Sequence, residues 1–247
     1  LNKREICELL TRNFETEYFK EYFLDMCEHI PDYIFTMPSS TSGKYHNKKQ
    51  CEPFGQLYHI FMFQSILENR LRLKHNKEMY STSLERDAMR CVPMFHDALK
   101  CGWNGSQYTV ANHPMLAAKW VLDTSVEHDI DPTWKQIIAD MCEAHSGEWN
   151  KDRSGNVIMS EPRNHREFFI HECDILSSRQ DLDWIVSDEL KELLGDGPSV
   201  EDYEIPIGKY KGRKLVEVFN EDPDYCMWMR DNIDRQPLKG MVEKLYA

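Results

Sequence analysis

Apolar residues recur three and four positions apart along most of this chain, which predicts a helical protein. Between residues 3 and 29, Ile6, Leu9, Leu10, Phe14, Phe19, Phe23 and Met26 mark one long amphipathic helix, stopped by Pro31. The pattern then fails over residues 31–53. That stretch contains Met37-Pro38-Ser39-Ser40-Thr41-Ser42-Gly43-Lys44-Tyr45-His46, a loop of small hydroxyl residues. Helical spacing resumes from Phe54 to Lys74. Thr82-Ser83-Leu84-Glu85 has the form of a capping box. It opens a helix that runs into Val92-Pro93-Met94-Phe95-His96-Asp97-Ala98-Leu99-Lys100. Pro93 removes one hydrogen bond from that helix, which either frees a carbonyl or re-aims the residues beyond it.

Further on, Asn112 is the cap of a helix with His113 and Pro114 in its first turn. A His at a helix N-terminus feels the positive end of the dipole, which favours its neutral form. Asp131-Pro132 opens the next helix and Gly147 ends it, so His145 falls in the last turn. Residues 147–160 hold the turn Asp152-Arg153-Ser154-Gly155-Asn156 between short extended pieces, as in a hairpin. Ser160-Glu161-Pro162 then opens a helix that carries Asp174 among Phe168, Ile170, Ile175 and Leu176. Residues 195–204 read as a linker, and 205–247 as a small α+β module of different texture. The chain thus divides into a helical domain (1–194), a linker (195–204) and a C-terminal module (205–247).

Composition narrows the class. The 247 residues are 41% hydrophobic and 29% charged, as in a soluble globular protein. No apolar run nears the ~18 residues of a membrane span. Leu1-Asn2-Lys3-Arg4-Glu5 has no signal-peptide pattern, and Leu1 suggests that an initiator Met lies outside the numbering. Eight cysteines with no C-x-x-C pair suit buried, reduced thiols in the cytoplasm rather than a zinc-thiolate site. The net charge of −12 disfavours broad binding to long nucleic acid. Yet residues 205–247 hold eight Lys/Arg against seven Asp/Glu, with Lys209, Lys211, Arg213 and Lys214 around Tyr210. That cluster suits a phosphate backbone, or is a hairpin with solvated lysines.

The candidate chemistry centres on His96-Asp97. Burying an imidazole and a carboxylate side by side costs several kcal/mol without compensation, and a divalent metal would compensate. Imidazole with carboxylate suits Mn, Fe, Co or Ni, with Mg and Zn also compatible. Other His and Asp residues in or beside predicted helices are His59, His113, His145 and Asp174, giving the order H, HD, H, H, D. His171 shares a helix face with Asp174 and, with His165, is a candidate to support the ligands.

These residues resemble the HD superfamily of metal-dependent phosphohydrolases. Gly55-Gln56-Leu57-Tyr58-His59 is similar to its Gly-x-Leu-x-His segment, and His96-Asp97-Ala98-Leu99-Lys100 to its His-Asp-x-x-Lys. Ala144-His145-Ser146-Gly147-Glu148-Trp149 resembles the His-x-Gly-x-Trp of some members. Cys173-Asp174-Ile175-Leu176-Ser177-Ser178-Arg179 resembles the closing Ala-Asp-x-Leu-Ala-Ser-Arg. The resemblance spans roughly residues 31–182 and implies an HD-type helical core. It also implies hydrolysis of a phosphoester in a nucleotide or a single-stranded nucleic acid. His59, His96, Asp97 and Asp174 would hold one metal, and Asp97 would bridge to a second held by His113 and His145. Lys100 would act with Asp97 in catalysis, as a point charge on the phosphate. Lys44, His46 and Arg179 would contact substrate, joined by Lys209, Lys211 and Arg213 of the module. The module itself resembles the C-terminal segment of exodeoxyribonuclease X-like proteins through Gly208-Lys209-Tyr210-x-Gly212 and Asp222-x-x-Tyr225-x-x-Trp228, with Ile207 in place of a Phe. The alternative is a non-catalytic nucleotide or nucleic-acid binding protein on the same scaffold.

Overall fold

Asn2 and Glu5 cap the first helix reciprocally, each side chain accepting the other's backbone N–H. The elements that follow are α1 (Lys3–Leu10), α2 (Glu17–Glu28), α3 (Gly55–Leu71), α4 (Lys74–Met79), α5 (Ser83–Phe95), α6 (His113–Asp123), α7 (Pro132–Ala144) and α8 (His165–Ser178), then α9 (Leu215–Glu221), α10 (Pro223–Asn232) and α11 (Leu238–Lys244). The computed structural model describes residues 2–40, 46–106, 108–152, 154–179, 199–233 and 238–246. Among these, strand pairing is limited to two isolated antiparallel bridges, Lys151 with Val157 and Glu204 with Lys214. The protein is mainly helical, as the periodicity implied. The hairpin expected over 147–160 is one bridge closed by the Asp152 turn. The strand part of the C-terminal module is likewise one bridge followed by three helices.

The single helix expected over residues 3–29 is two. Thr11–Asn13 tightens into a 3-10 turn, and Thr16 caps a new helix by accepting from the Phe19 N–H. The break is held from far along the chain. The Asp87 carboxylate accepts from the Glu15 and Thr16 N–H groups and from the Thr16 hydroxyl, at 2.7–3.1 Å. Two other helix starts also differ from expectation. Asn112 makes no side-chain cap. The helix α8 begins at His165 rather than near Ser160, because Asn164 Oδ1 accepts from the Arg166 and Glu167 N–H groups.

The chain separates into two units: Leu1–Ile34 with Ile60–Ser177, and Phe35–His59 with Ser178–Ala247. In the first, α6 packs on α7, and α5 packs on both α7 and α2. The Phe95 ring stacks on Phe23 at 5.3 Å and meets Trp120 edge-on at 5.2 Å. All three side chains are essentially solvent-free. Truncating a buried aromatic of this kind costs about 3–5 kcal/mol. Phe95 is the last residue of α5, so this packing fixes where the chain leaves the helix and hence where His96 and Asp97 stand. Asp87 and Arg90, about two turns and one turn earlier, lock the same helix into an ionic cluster with Glu15 and Glu68. In the second unit, Tyr203, Ile205, Leu215, Val218, Cys226, Met229 and residues of α11 form a small core of their own. No described helix is long and apolar enough to cross a membrane.

Candidate metal centre

Three imidazoles in the first unit are held in the same way. His96 is the C-cap of α5, and its Nδ1–H donates to the Pro93 carbonyl at 3.0 Å and the Val92 carbonyl at 3.2 Å. His145 caps the C-terminus of α7, and its Nδ1–H donates to the Cys142 carbonyl at 2.7 Å. His113 opens α6, and its Nδ1–H donates to the Val110 carbonyl at 2.9 Å. The last carbonyls of a helix are not all used within it, so Pro93 in α5 and Cys142 in α7 supply acceptors near the helix ends, while the Val92 carbonyl also accepts the His96 backbone N–H at 2.9 Å. A carbonyl can meet only an N–H. Each Nδ1 is therefore the protonated nitrogen, and in the neutral ring each Nε2 carries the lone pair.

Those Nε2 atoms converge on Asp97. His113 Nε2 lies 3.0 Å from Asp97 Oδ1, His145 Nε2 3.9 Å from the same oxygen, and His96 Nε2 3.3 Å from Oδ2. His96, Asp97 and His145 are buried and offer one ligand atom each within 4.8 Å of one another. Asp174 reaches in from α8, with Oδ1 3.8 Å from His96 Nε2. It is half-buried, while its neighbours Phe168 and Leu176, expected beside it in the core, are exposed. Lys100 is buried, with its Nζ 2.6 Å from Asp97 Oδ2. Burial, the largest single effect, would push the Asp97 carboxyl upward; the Lys100 ammonium, His96 and the His113 hydrogen bond together outweigh it and hold the group well below the usual carboxylate range. Burial pulls His96 down, but the Asp97 carboxylate leaves it above an ordinary imidazole. His145 is pushed down to about 3, by burial first and by His96 second. Its neutral form is therefore fixed despite its place at a helix C-terminus, where the dipole favours the cation.

Several groups set this arrangement, of which Phe63 and Tyr33 have no clear signal in the sequence while His171 is a candidate on its shared face with Asp174. The Phe63 ring meets His96 edge-on at 5.3 Å. Tyr33 clamps the turn after Lys100: its hydroxyl donates to the Gly102 carbonyl at 3.0 Å and accepts from the Cys101 N–H at 3.3 Å. His171 Nδ1–H donates to the His145 carbonyl at 2.6 Å, on the face shared with Asp174. Gly147 is required beside it. Its φ of +55° belongs to the left-handed region, and a Cβ there would collide with the His171 ring. His165, by contrast, stacks on Tyr80 at 5.5 Å.

The structure thus brings together His96, Asp97, Lys100, His113, His145 and Asp174. His59 is buried on α3, and its ring meets that of His46 edge-on at 5.7 Å within the second unit. His46 Nδ1 is 2.7 Å from Gln50 Oε1. Lys44 lies outside the described residues. Arg179 is exposed, one residue beyond α8. In the C-terminal module the basic cluster is largely tied to acids. Lys209 Nζ is 3.0 Å from Asp222, Arg213 is 2.7 Å from Glu221, and Lys214 is 2.9 Å from Asp202. Lys211 is exposed, with no ion pair among the described residues. Tyr210 donates its hydroxyl to Asp222 at 2.8 Å, and the exposed Trp228 stacks on Tyr225 at 5.6 Å.

The donor set of the first unit suits a divalent cation of intermediate hardness: imidazoles with outward-anchored Nδ1–H groups, and carboxylates. No curated protein matches the chain, and no solved structure does. Residues 208–234 are similar to the family described as exodeoxyribonuclease X-like C-terminal, and match its profile.

Proposed function

We propose that this chain is a metal-dependent phosphohydrolase of the HD type that cleaves phosphoester bonds in nucleic acid, in the manner of an exonuclease, or in nucleotides. The observation that carries the reading is the convergence of three anchored imidazoles on one buried carboxylate. His96, Asp97 and Asp174 hold one ion, and Asp97, His113 and His145 hold a second. His59 joins the first on the strength of the ordered motifs. A bound divalent ion would supply Lewis acidity toward a phosphoryl oxygen and acidify a water. The residues around it do the remaining work. The carbonyls of Pro93, Val110 and Cys142 hold the rings in the ligating tautomer, and Lys100 keeps Asp97 ionised and places one positive charge near the phosphate. We assign Mn²⁺, Fe, Co²⁺ or Ni²⁺ to the site, with Mg²⁺ and Zn²⁺ as alternatives.

The division into a catalytic domain (1–194), a linker (195–204) and an α+β nucleic-acid module (205–247) belongs to the same proposal, as do substrate contacts from Lys44, His46, Arg179, Lys209, Lys211 and Arg213. Water and salt screen exposed ion pairs, so a phosphate can draw Lys209 and Arg213 away from their acids at little cost. All eight cysteines are buried, with no disulfide among them. This suits a reducing compartment, and we place the protein in the cytoplasm. One observation favours the binding-protein alternative: Lys100 Nζ already stands where a cation would approach Asp97 Oδ2.

Elemental analysis with a metal-by-substrate screen separates the two readings. The purified chain should carry one or two equivalents of transition metal and release phosphate or nucleotide from oligonucleotides or nucleotides. Asp97→Asn should lose metal and turnover while keeping its helical circular dichroism. Metal-free protein that ignores added Mn²⁺, or undiminished turnover in Asp97→Asn, removes the hydrolase reading.

A further inference from the structure

The turn between α7 and α8 has a composition that the proposed hydrolase site does not use. From Asn150 to Glu161 the sequence is Asn-Lys-Asp-Arg-Ser-Gly-Asn-Val-Ile-Met-Ser-Glu. Oxygen-bearing side chains fall at the first, third, fifth and twelfth positions and a glycine at the sixth. This is the spacing of twelve-residue calcium loops, with Asn for Asp at the first position and Ser at the fifth. The backbone agrees where the spacing demands it, since Gly155 has φ +85°.

Such a pattern could be a polar surface turn. What points to a ligand is Asn150. The residue is 2% exposed, yet its Oδ1 is buried with no hydrogen-bond partner among the described residues. A buried amide oxygen in that state costs about 1–3 kcal/mol. The same carboxamide points at the far end of the loop, with Nδ2 3.3 Å from Glu161 Oε1. The first and twelfth positions, eleven residues apart, therefore meet. Half a turn about the last side-chain bond would set Oδ1 beside the Glu161 carboxylate, facing a shared cation. Asp152 and Glu161 remain open to water, so a cation has a route in. The surroundings also differ from a helix-loop-helix unit, because α7 ends at Ala144 and α8 begins at His165.

We infer that residues 150–161 form a second cation site, selective for a hard ion such as Ca²⁺. Its ligands are the Asn150 carboxamide oxygen, the Asp152 carboxylate, the Ser154 hydroxyl, the Asn156 backbone carbonyl and the Glu161 carboxylate. All are oxygens, which separates this site from the imidazole-rich centre around Asp97. Two carboxylates are few for such a loop, and affinity in the weak range follows, at about 10⁻⁴–10⁻³ M.

Terbium luminescence on the full chain tests the inference, because Trp149 directly precedes the loop and can sensitise a bound lanthanide. Excitation of tryptophan should give Tb³⁺ emission that Ca²⁺ displaces at millimolar concentration or below. Glu161→Gln, a change at an exposed side chain, should weaken Tb³⁺ binding at least tenfold. Asp152→Asn should do the same, with circular dichroism to check the turn it caps. Asp97→Asn should leave the signal in place. Emission lost in Asp97→Asn but kept in Glu161→Gln would put the ion in the imidazole centre and overturn the inference. So would emission that 10 mM Ca²⁺ does not displace.

Discussion

Replacing Arg90 by Met tests how α5 is held where it presents His96 and Asp97. Arg90 is 6% exposed. Its guanidinium donates to Glu68 at 2.7 and 3.2 Å, to Asp87 at 2.8 Å and to Glu15 at 2.8 Å. Without it, three carboxylates face one another. They do not suffer equally. Asp87 keeps the donors from Glu15 and Thr16, and Glu15 keeps Arg86. Glu68, itself 5% exposed, keeps only the Gln64 amide at 3.1 Å among the described residues. Removing one partner of a buried pair costs about 3–5 kcal/mol. Total stabilities run at about 5–15 kcal/mol. At roughly 2–4 °C per kcal/mol, a loss near 4 kcal/mol lowers Tm by roughly 8–16 °C. Arg90→Met with Glu68→Leu removes both sides of the worst-placed pair, and such replacements are often close to neutral. The double variant should therefore be clearly more stable than Arg90→Met alone. Urea unfolding followed by circular dichroism, with EDTA present to exclude metal effects, measures both. A single-variant loss under about 1 kcal/mol, or a double variant no better than the single, refutes this reasoning. The sign with pH also follows. Glu15 is held far below the ordinary carboxylate range, chiefly by Arg86 against the opposing effect of burial. Its contribution is present above the ordinary glutamate pKa and fades as pH falls below it.

Gly147→Ala should cost about 1–3 kcal/mol from its left-handed backbone, with more from the collision with His171, and it should weaken transition-metal retention measured by elemental analysis. His128 is raised above the ordinary imidazole value, first by its hydrogen bond to Asp25. Its pairing is therefore complete below about pH 6.5 and is lost as pH rises through the raised value. His128→Ala should lower Tm at pH 5.5 and differ little from the parent at pH 9, and a gap independent of pH would contradict the pairing. Truncation after Asp196 should weaken hydrolysis of oligonucleotides, with a salt-dependent loss of binding, while sparing a small chromogenic phosphodiester. Equal loss on both substrates would mean that the module supports the fold of the rest.

Helices were legible wherever apolar spacing is regular, because burial of one face sets that period. The break after Leu10 was not, since its cause is Asp87, more than seventy residues away. The cap at Asn164 was hidden for a different reason: Ser160 and Pro162 offer an equally good local start. At the candidate centre, residue types and order were readable, and His96, Asp97, His113, His145 and Asp174 do converge. Ring orientation was not readable, because the acceptors that set it are backbone carbonyls, which every residue has. The module's cations looked available in sequence. Lys209, Arg213 and Lys214 find their acids 8–13 residues away, beyond the reach of local spacing.

The carbonyl anchors of the three imidazoles tie ligand direction to helical register. One residue corresponds to about 100° of rotation about a helix axis. A single insertion between Pro93 and His96, or between Cys142 and His145, would swing the ring to another side of its helix. It would also detach Nδ1 from its acceptor, even with every ligand still present. Side-chain changes around the rings leave that register untouched. Changes of length here should therefore empty the centre even where every ligand is retained, an effect that substitution of an exposed side chain on the same turns does not have.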